Sequence, residues 1–286
     1  MTASLGAQLR DRVKSGPALV TPGTANALAA RIIQDVGYET VYVTGAGIAN
    51  SFLGVPDIGL VTLTELAAHV QAIRDAVDVP LIVDADTGFG NPVGVTRTVR
   101  VLEAAGADAI QIEDQVSPKR CGHFEGKAVV ATDDMLAKIG AAMDARRNDT
   151  LLIARTDALA TQGFEAAVGR ARRYAEAGAD LTFVEGPGTV EELLALPDAV
   201  PVPQVANLVE GGETPLLPVA ELQRFGVVLL ANIALQGAIR GMQRVLRHVR
   251  DTGSVAAAGD LIADWSERQR LVGKPHYDAL GERYRC

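Results

Sequence analysis

Short β-branched runs alternate along the chain with longer stretches rich in Ala, Leu, Arg and Glu, the pattern of parallel strands joined by helices that cover them. Eight runs are expected as strands: Ala18 to Pro22, Thr40 to Thr44, Pro80 to Asp84, Ala109 to Glu113, Leu151 to Arg155, Leu181 to Glu185, Val202 to Asn207 and Val227 to Ala231. Gly37, Gly106, Gly178 and Gly226 precede four of them and are expected to close the preceding helices in the left-handed conformation. Thr62-Leu-Thr-Glu65 reads as a capping box, and Thr132-Asp-Asp is expected to open its helix in the same way.

Two units nearly repeat. Glu103-Ala-Ala-Gly-Ala-Asp108 leads to Glu113, and Ala175-Glu-Ala-Gly-Ala-Asp180 leads to Glu185, with both glycines and both glutamates 72 residues apart. Equal helix-glycine-strand units with an acid at each strand exit predict a closed (β/α)8 TIM barrel, in the α/β class. The open doubly wound sheet is the alternative, but the Gly-x-Gly-x-x-Gly turn it often carries is missing after the first strand. Residues 1–286 are expected as one barrel domain, with 236–286 as a C-terminal helical extension. Its helices, Gln236 to Arg250 and Leu261 to Arg270, exceed what the last barrel unit needs and are expected to pack on a neighbouring subunit, with cover for the barrel floor as the alternative.

Composition narrows the setting. Apolar residues make up 48% and aromatics only 4%, so Ala, Val, Leu and Ile must fill the core. The net charge of −8, without a basic cluster on an aromatic-rich segment, leaves no footprint for nucleic acid or an anionic membrane. No segment approaches the ~20 apolar residues of a membrane span, and Met1 to Asp11 lacks a long apolar run. Two cysteines, Cys121 and Cys286, make no disulfide framework, so a soluble protein of the reducing cytoplasm is expected.

The strand ends are unusually polar: Thr44, Asp84, Asp86, Glu113, Asp114, Arg155, Asp157, Glu185, Asn207 and Asn232. In a TIM barrel these ends form the active face. Alternation along a strand should aim Asp84 and Asp86 to one side, where two repelling carboxylates call for a cation; Mg²⁺ with retained waters suits such ligands. Asp57 and Glu113 are candidates for its outer shell. The plainer alternative makes both aspartates turn or cap residues before Gly88.

The loop Lys119-Arg-Cys-Gly-His123 clusters a thiol with cations and an imidazole, which lowers a thiol pKa and draws in anions. Cys121 is its candidate proton donor, against the alternatives of a zinc half-site or a solvated basic loop. Arg155, ending an apolar strand, needs an anion, either Glu185 or Asp157 or a substrate oxygen. The small residues of Thr44-Gly45-Ala46-Gly47 let backbone amides approach an oxyanion.

Tyr42-Val-Thr-Gly45, Leu53-Gly-Val-Pro-Asp57, Asp84 to Asn91, Ile112-Glu-Asp-Gln115, Lys119 to His123, Ala154-Arg-Thr-Asp157, Phe183-Val-Glu185 and Ala206-Asn207 follow one another in the order of a known family. On these segments the chain resembles the isocitrate lyase and phosphoenolpyruvate mutase superfamily over roughly residues 18 to 250, with the thiol motif characteristic of the methylisocitrate and dimethylmalate lyase branches. The resemblance implies a (β/α)8 barrel, a homotetramer with exchanged C-terminal helices, and Mg²⁺ (or Mn²⁺ in its place) bound chiefly through Asp84. Asp86, Asp57 and Glu113 would hold the metal's waters, while Thr44, Gly45, Ala46 and Arg155 hold the pyruvate-like half. Lys119, Arg120 and Gly122 would face the substrate, Cys121 would protonate the carbanion, His123 and Glu185 would support the site, and Asn207 would meet the second carboxylate. Arg240 matches the methylisocitrate lyase pattern. Tyr42 and Glu113 both remain open as the group that takes the hydroxyl proton.

The implied reaction is Mg²⁺-dependent cleavage of a 2-hydroxy di- or tricarboxylate into pyruvate and a carboxylic acid. Leu229 to Leu235 lacks a hydroxyl-rich carboxylate pocket, and Phe183 to Pro187 and Asn207 to Pro215 look like the alkylmalate-cleaving branch. An oxaloacetate decarboxylase or hydrolase, a phosphonomutase-type enzyme and a non-catalytic dicarboxylate-binding barrel are the alternatives.

Overall fold

The computed structural model describes residues 3–120, 122 and 126–285. Eight parallel strands follow the expected runs: β1 (Leu19–Thr24), β2 (Val41–Val43), β3 (Leu81–Asp84), β4 (Ala109–Glu113), β5 (Leu151–Thr156), β6 (Leu181–Val184), β7 (Val205–Asn207) and β8 (Val227–Leu230). They pair in the order β6-β5-β4-β3-β2-β1-β8-β7. A parallel bridge between Thr182 and Gln204 joins the two outermost strands, so the sheet closes into the (β/α)8 barrel.

Nearly every strand residue is buried, because one face fills the barrel and the other meets the helices. Inside, Leu19, Ile82, Leu151, Leu181, Val205 and Val227 form one cluster with Leu9 and Val13 of the N-terminal helix Leu5–Ser15. That helix, rather than the C-terminal surplus, covers the barrel floor. Two further clusters pack the helices onto the outer strand faces.

Local signals held where their physics was complete. Thr62 and Glu65 form the reciprocal capping box. Gly37, Gly106 and Gly178 have φ of +102°, +103° and +105°. Gly226 differs: its φ lies outside the left-handed region, and its missing side chain instead admits Pro203, whose Cβ would lie 2.6 Å from an added Cβ. Thr132 is the first helical residue rather than the cap; Ala131 holds that position without a side-chain bond. β7 begins three residues late, at Val205, since Pro203 has no N–H to give a ladder.

Beyond β8 come the 20-residue helix Ile233–Thr252, a 3₁₀ turn Ala256–Leu261, and the helices Trp265–Leu271 and Lys274–Arg283. Ala258 is the single buried residue among those described there. Among the described residues, no helix is long and apolar enough to cross a membrane.

Candidate active site

The C-terminal ends of the strands surround a cavity of about 430 Å³ including its mouth, lined on one side by Asp57, Asp84, Glu113, Lys119, Arg155 and Glu185. Asp84 is the last residue of β3; its Oδ2 accepts the Gly45 N–H at 3.4 Å and its Oδ1 the Asp86 N–H at 3.2 Å. Asp86 faces the same place, but strand alternation does not put it there. The strand has ended, and Asp86 sits in the left-handed region at φ +49°. A Cβ at Gly45 would lie 3.2 Å from Asp86 Oδ1 and 3.3 Å from Asp84 Oδ2, so the glycine lets its backbone close over both acids.

Lys119 does not point out to meet substrate. Its ammonium enters the acid nest, 2.6 and 2.8 Å from the Asp57 oxygens and 2.7 Å from Asp86 Oδ1. Burial alone would lower its pKa, yet Asp86, Glu113, Asp84 and Asp57 together hold it well above the ordinary lysine value. Burial drives the Asp86 carboxyl up to about 7, with Lys119 opposing and Asp84 adding to the rise. Burial likewise lifts Glu113 well above the carboxylate range against the pull of Arg155. Tyr42 rises too, through burial and the charge of Asp84, so at neutral pH it is a phenol that can donate.

Four acids around one ammonium leave excess negative charge, and Glu113 Oε1 is buried with no hydrogen-bond partner among the described residues. This donor set suits a hard divalent cation. No three His, Cys, Asp or Glu side chains among the described residues are arranged to ligate one ion directly.

Arg155, near the end of β5, is held on three sides. Asp157 takes its Nε and Nη2 at 3.0 and 2.9 Å, Glu185 Oε2 lies 3.2 Å from Nη1, and Glu113 Oε2 3.4 Å from Nε. The guanidinium also lies over the Phe183 ring, 5.1 Å from its centroid. Burial would raise the Asp157 carboxyl, but Arg155 holds it below the usual range. Glu185 Oε1 and Asn207 Oδ1 are buried without hydrogen-bond partners among the described residues.

The remaining expected residues divide. Thr44 and Ala46 line the cavity, whereas the Gly45 N–H is turned toward Asp84. Arg120 lines it as well, its backbone N–H and C=O both paired at 2.9 Å with the side-chain amide of Gln115. Gly122 is buried against the site: an added Cβ would meet Glu185 Cγ at 2.8 Å. Cys121 and His123 lie outside the described residues. Arg240 is not part of this cavity; the helix Ile233–Thr252 carries it to a separate surface depression with Arg244 and Arg247. Sequence reasoning noted that Leu229 to Leu235 offers no carboxylate pocket, but did not name the apolar wall that Leu229 and Ala231 form with Val209 in this cavity. Leu229 could have been found by its inward position in β8, while Val209 lies on a loop without periodicity.

The profile of the phosphoenolpyruvate phosphomutase family matches residues 9–250. A 2,3-dimethylmalate lyase of Eubacterium barkeri is 42% identical over 270 residues, covering 93% of this chain and 93% of that protein. A 2-methylisocitrate lyase of Aeropyrum pernix is 42% identical over 275 residues, covering 96% of this chain and 89% of the other. Among solved structures, a phosphonopyruvate hydrolase in complex with oxalate and Mg²⁺ superposes with a TM-score of 0.89 at 31% identity, covering 98% of this chain and 99% of that one.

Proposed function

The chain belongs to the phosphoenolpyruvate phosphomutase family, and from that premise we propose that it is a Mg²⁺-dependent carbon-carbon lyase that cleaves a 2-hydroxy dicarboxylate of the alkylmalate type, or 2-methylisocitrate, to pyruvate and a carboxylic acid. One observation carries this reading: an acid nest and an arginine, both buried, share a single cavity at the strand ends.

Asp84 would be the principal ligand of the cation, with Asp86, Asp57 and Glu113 holding its waters. A divalent ion there supplies Lewis acidity toward the substrate oxygen at C2. Arg155 binds and orients the pyruvate-like half, held in direction by Asp157 and by Phe183 beneath it. Thr44 and Ala46 face that half, and Asn207 meets the second carboxylate. As Glu113 takes the C2 hydroxyl proton and the C2 oxygen becomes the pyruvate carbonyl, the electron pair of the breaking C2–C3 bond passes to C3, where Cys121 donates the proton that quenches it. Gly122, the residue after this thiol in the chain, lies against Arg155 and Glu185. The wall of Val209, Leu229 and Ala231 suits alkyl groups at C3 better than a third carboxylate, which favours the alkylmalate substrate.

The uncovered C-terminal helices support a homo-oligomer: Ile233, Ile239, Met242, Leu246 and Trp265 are all exposed. The cytoplasm, a reducing setting, would keep Cys121 a thiol. The deciding experiment offers malate, alkylmalates, isocitrate, methylisocitrate and oxaloacetate, with and without a chelator, and measures the 2-oxo acid released, pyruvate or glyoxylate, together with oxalate from oxaloacetate. Alkylmalate turnover lost on chelation is expected. Turnover unchanged by chelation would remove the metal from the proposal, and turnover of oxaloacetate alone would replace the lyase by a decarboxylase or hydrolase.

A further inference from the structure

Behind Arg155, on the side away from the cavity, lies a second buried polar group that the reaction does not touch. Asp114 follows Glu113 out of β4 and is fully buried. It binds the last two residues of β5 and Asp157 that follows them. Its N–H donates to the Arg155 carbonyl at 3.2 Å. Its carboxylate accepts the Thr156 hydroxyl at 2.7 Å and the Asp157 N–H at 3.0 Å. Asp157 in turn grips the Arg155 guanidinium through two bonds.

The carboxylate is fixed from outside the barrel by the helix Phe164–Glu176. One helical turn apart, Arg170 and Tyr174 both reach Asp114 Oδ2, Arg170 through Nη1 at 3.2 Å and Tyr174 through its hydroxyl at 2.8 Å. Three donors therefore converge on Oδ2 and one on Oδ1. Arg170 also donates to the Val130 carbonyl at 2.9 Å, and the Val130 N–H returns a bond to the Asp114 carbonyl at 2.8 Å. The same group thus pins the far end of the loop that follows β4.

We propose that Asp114, clamped by Arg170 and Tyr174, is a positioning residue that presets the direction of the Arg155 guanidinium toward the substrate. A guanidinium among three carboxylates has competing orientations, since Glu113 and Glu185 pull it into the cavity. Fixing Asp157 from behind selects one of them before substrate arrives, and small displacements of a binding group are costly to catalysis. Asparagine fits poorly in place of Asp114, because its amide would turn N–H groups onto either the Asp157 N–H or the Arg170 guanidinium, neither of which can accept.

The inference rests on the reading of Arg155 as the group that holds a substrate oxygen. Its test is oxalate binding to the Mg²⁺-loaded protein by calorimetry, together with the rate at which phenylglyoxal labels Arg155, read by mass spectrometry. Asp114→Asn is expected to weaken oxalate about tenfold and to speed labelling. Tyr174→Phe, which removes one hydroxyl and keeps the packing, should weaken it about threefold, and it carries the test if Asp114→Asn does not fold. In an Arg155→Ala background neither change should weaken oxalate further. Wild-type affinity in both variants, an undiminished loss in that background, or labelling no faster than wild type would overturn the proposal. If the wild-type protein neither binds oxalate nor releases pyruvate, the reading of the site fails separately. Labelling then decides alone: faster in the variants supports the positioning role, and unchanged refutes it.

Discussion

The two ends of the barrel handle the same sequence unit in opposite ways. At the floor, Asp108 accepts the Leu81 N–H at 2.9 Å and Arg74 at 3.1 Å, and Asp180 accepts the Leu152 N–H at 2.9 Å and Arg146 at 2.7 Å while also pairing with Arg10. Each also returns its own N–H to the same neighbouring residue. Five residues on, at the mouth, Glu113 and Glu185 are more deeply buried, share one arginine, and each keep an oxygen with no partner among the described residues. A chain that satisfies its floor acids so completely has no structural reason to leave its mouth acids short. Unsatisfied buried carboxylates at the active face mark places kept for a ligand.

The sharpest way to break that contrast is to remove the mouth's charge. Asp84→Asn, or chelation of the wild-type protein, is expected to cut kcat/KM for the best hydroxy acid about a thousandfold. Thermal unfolding of the metal-free protein should change little, because asparagine loses only one of the two long N–H bonds, from Gly45 or Asp86, and removes a charge that repels its neighbouring acids. Normal turnover in Asp84→Asn would end the metal assignment. A paired substitution sharpens the comparison next. Glu185→Gln should lower kcat/KM about a hundredfold while leaving stability within about 1 kcal/mol, since the excess negative charge falls. Asp180→Asn should do the reverse, costing about 2 kcal/mol in denaturant unfolding with KM unchanged. If both variants lost activity and stability in parallel, the division between floor and mouth would be wrong.

How far the sequence carried this picture depends on the range of the interaction. Strand positions were legible to within a few residues because burial on both faces leaves continuous apolar runs. The sharing of one cavity by Asp84, Glu113, Arg155 and Glu185 followed from their common place at strand exits. Asp86 was assigned to the right place for the wrong reason, since a left-handed residue, not alternation, turns it. Lys119 was read as facing the substrate because its partner Asp57 lies 62 residues earlier and no local pattern links them. The Asp114 clamp went unseen for the same reason: Arg170 and Tyr174 are 56 and 60 residues away. Arg240 shows the converse error, where a local match was carried to a helix that leads away from the cavity.

The last expected effect is one of pH at the mouth. Asp86 has an ordinary value of 3.8 that burial raises to about 7 in the folded, metal-free protein. Between those values the folded state holds a proton that the unfolded chain has released, so raising the pH through this window favours unfolding. Lys119 already opposes the rise, so the raised value includes its pull. The metal-free wild-type protein should therefore lose Tm relative to Asp86→Asn as pH climbs from about 4 to 7, the asparagine having no proton to release. Mg²⁺ should restore the difference at the upper end of the window and do little at the lower, where the carboxyl is protonated and ligates poorly. A wild-type Tm that tracks Asp86→Asn across the window, with no response to Mg²⁺ at either end, would mean that the mouth acids are as settled as those of the floor.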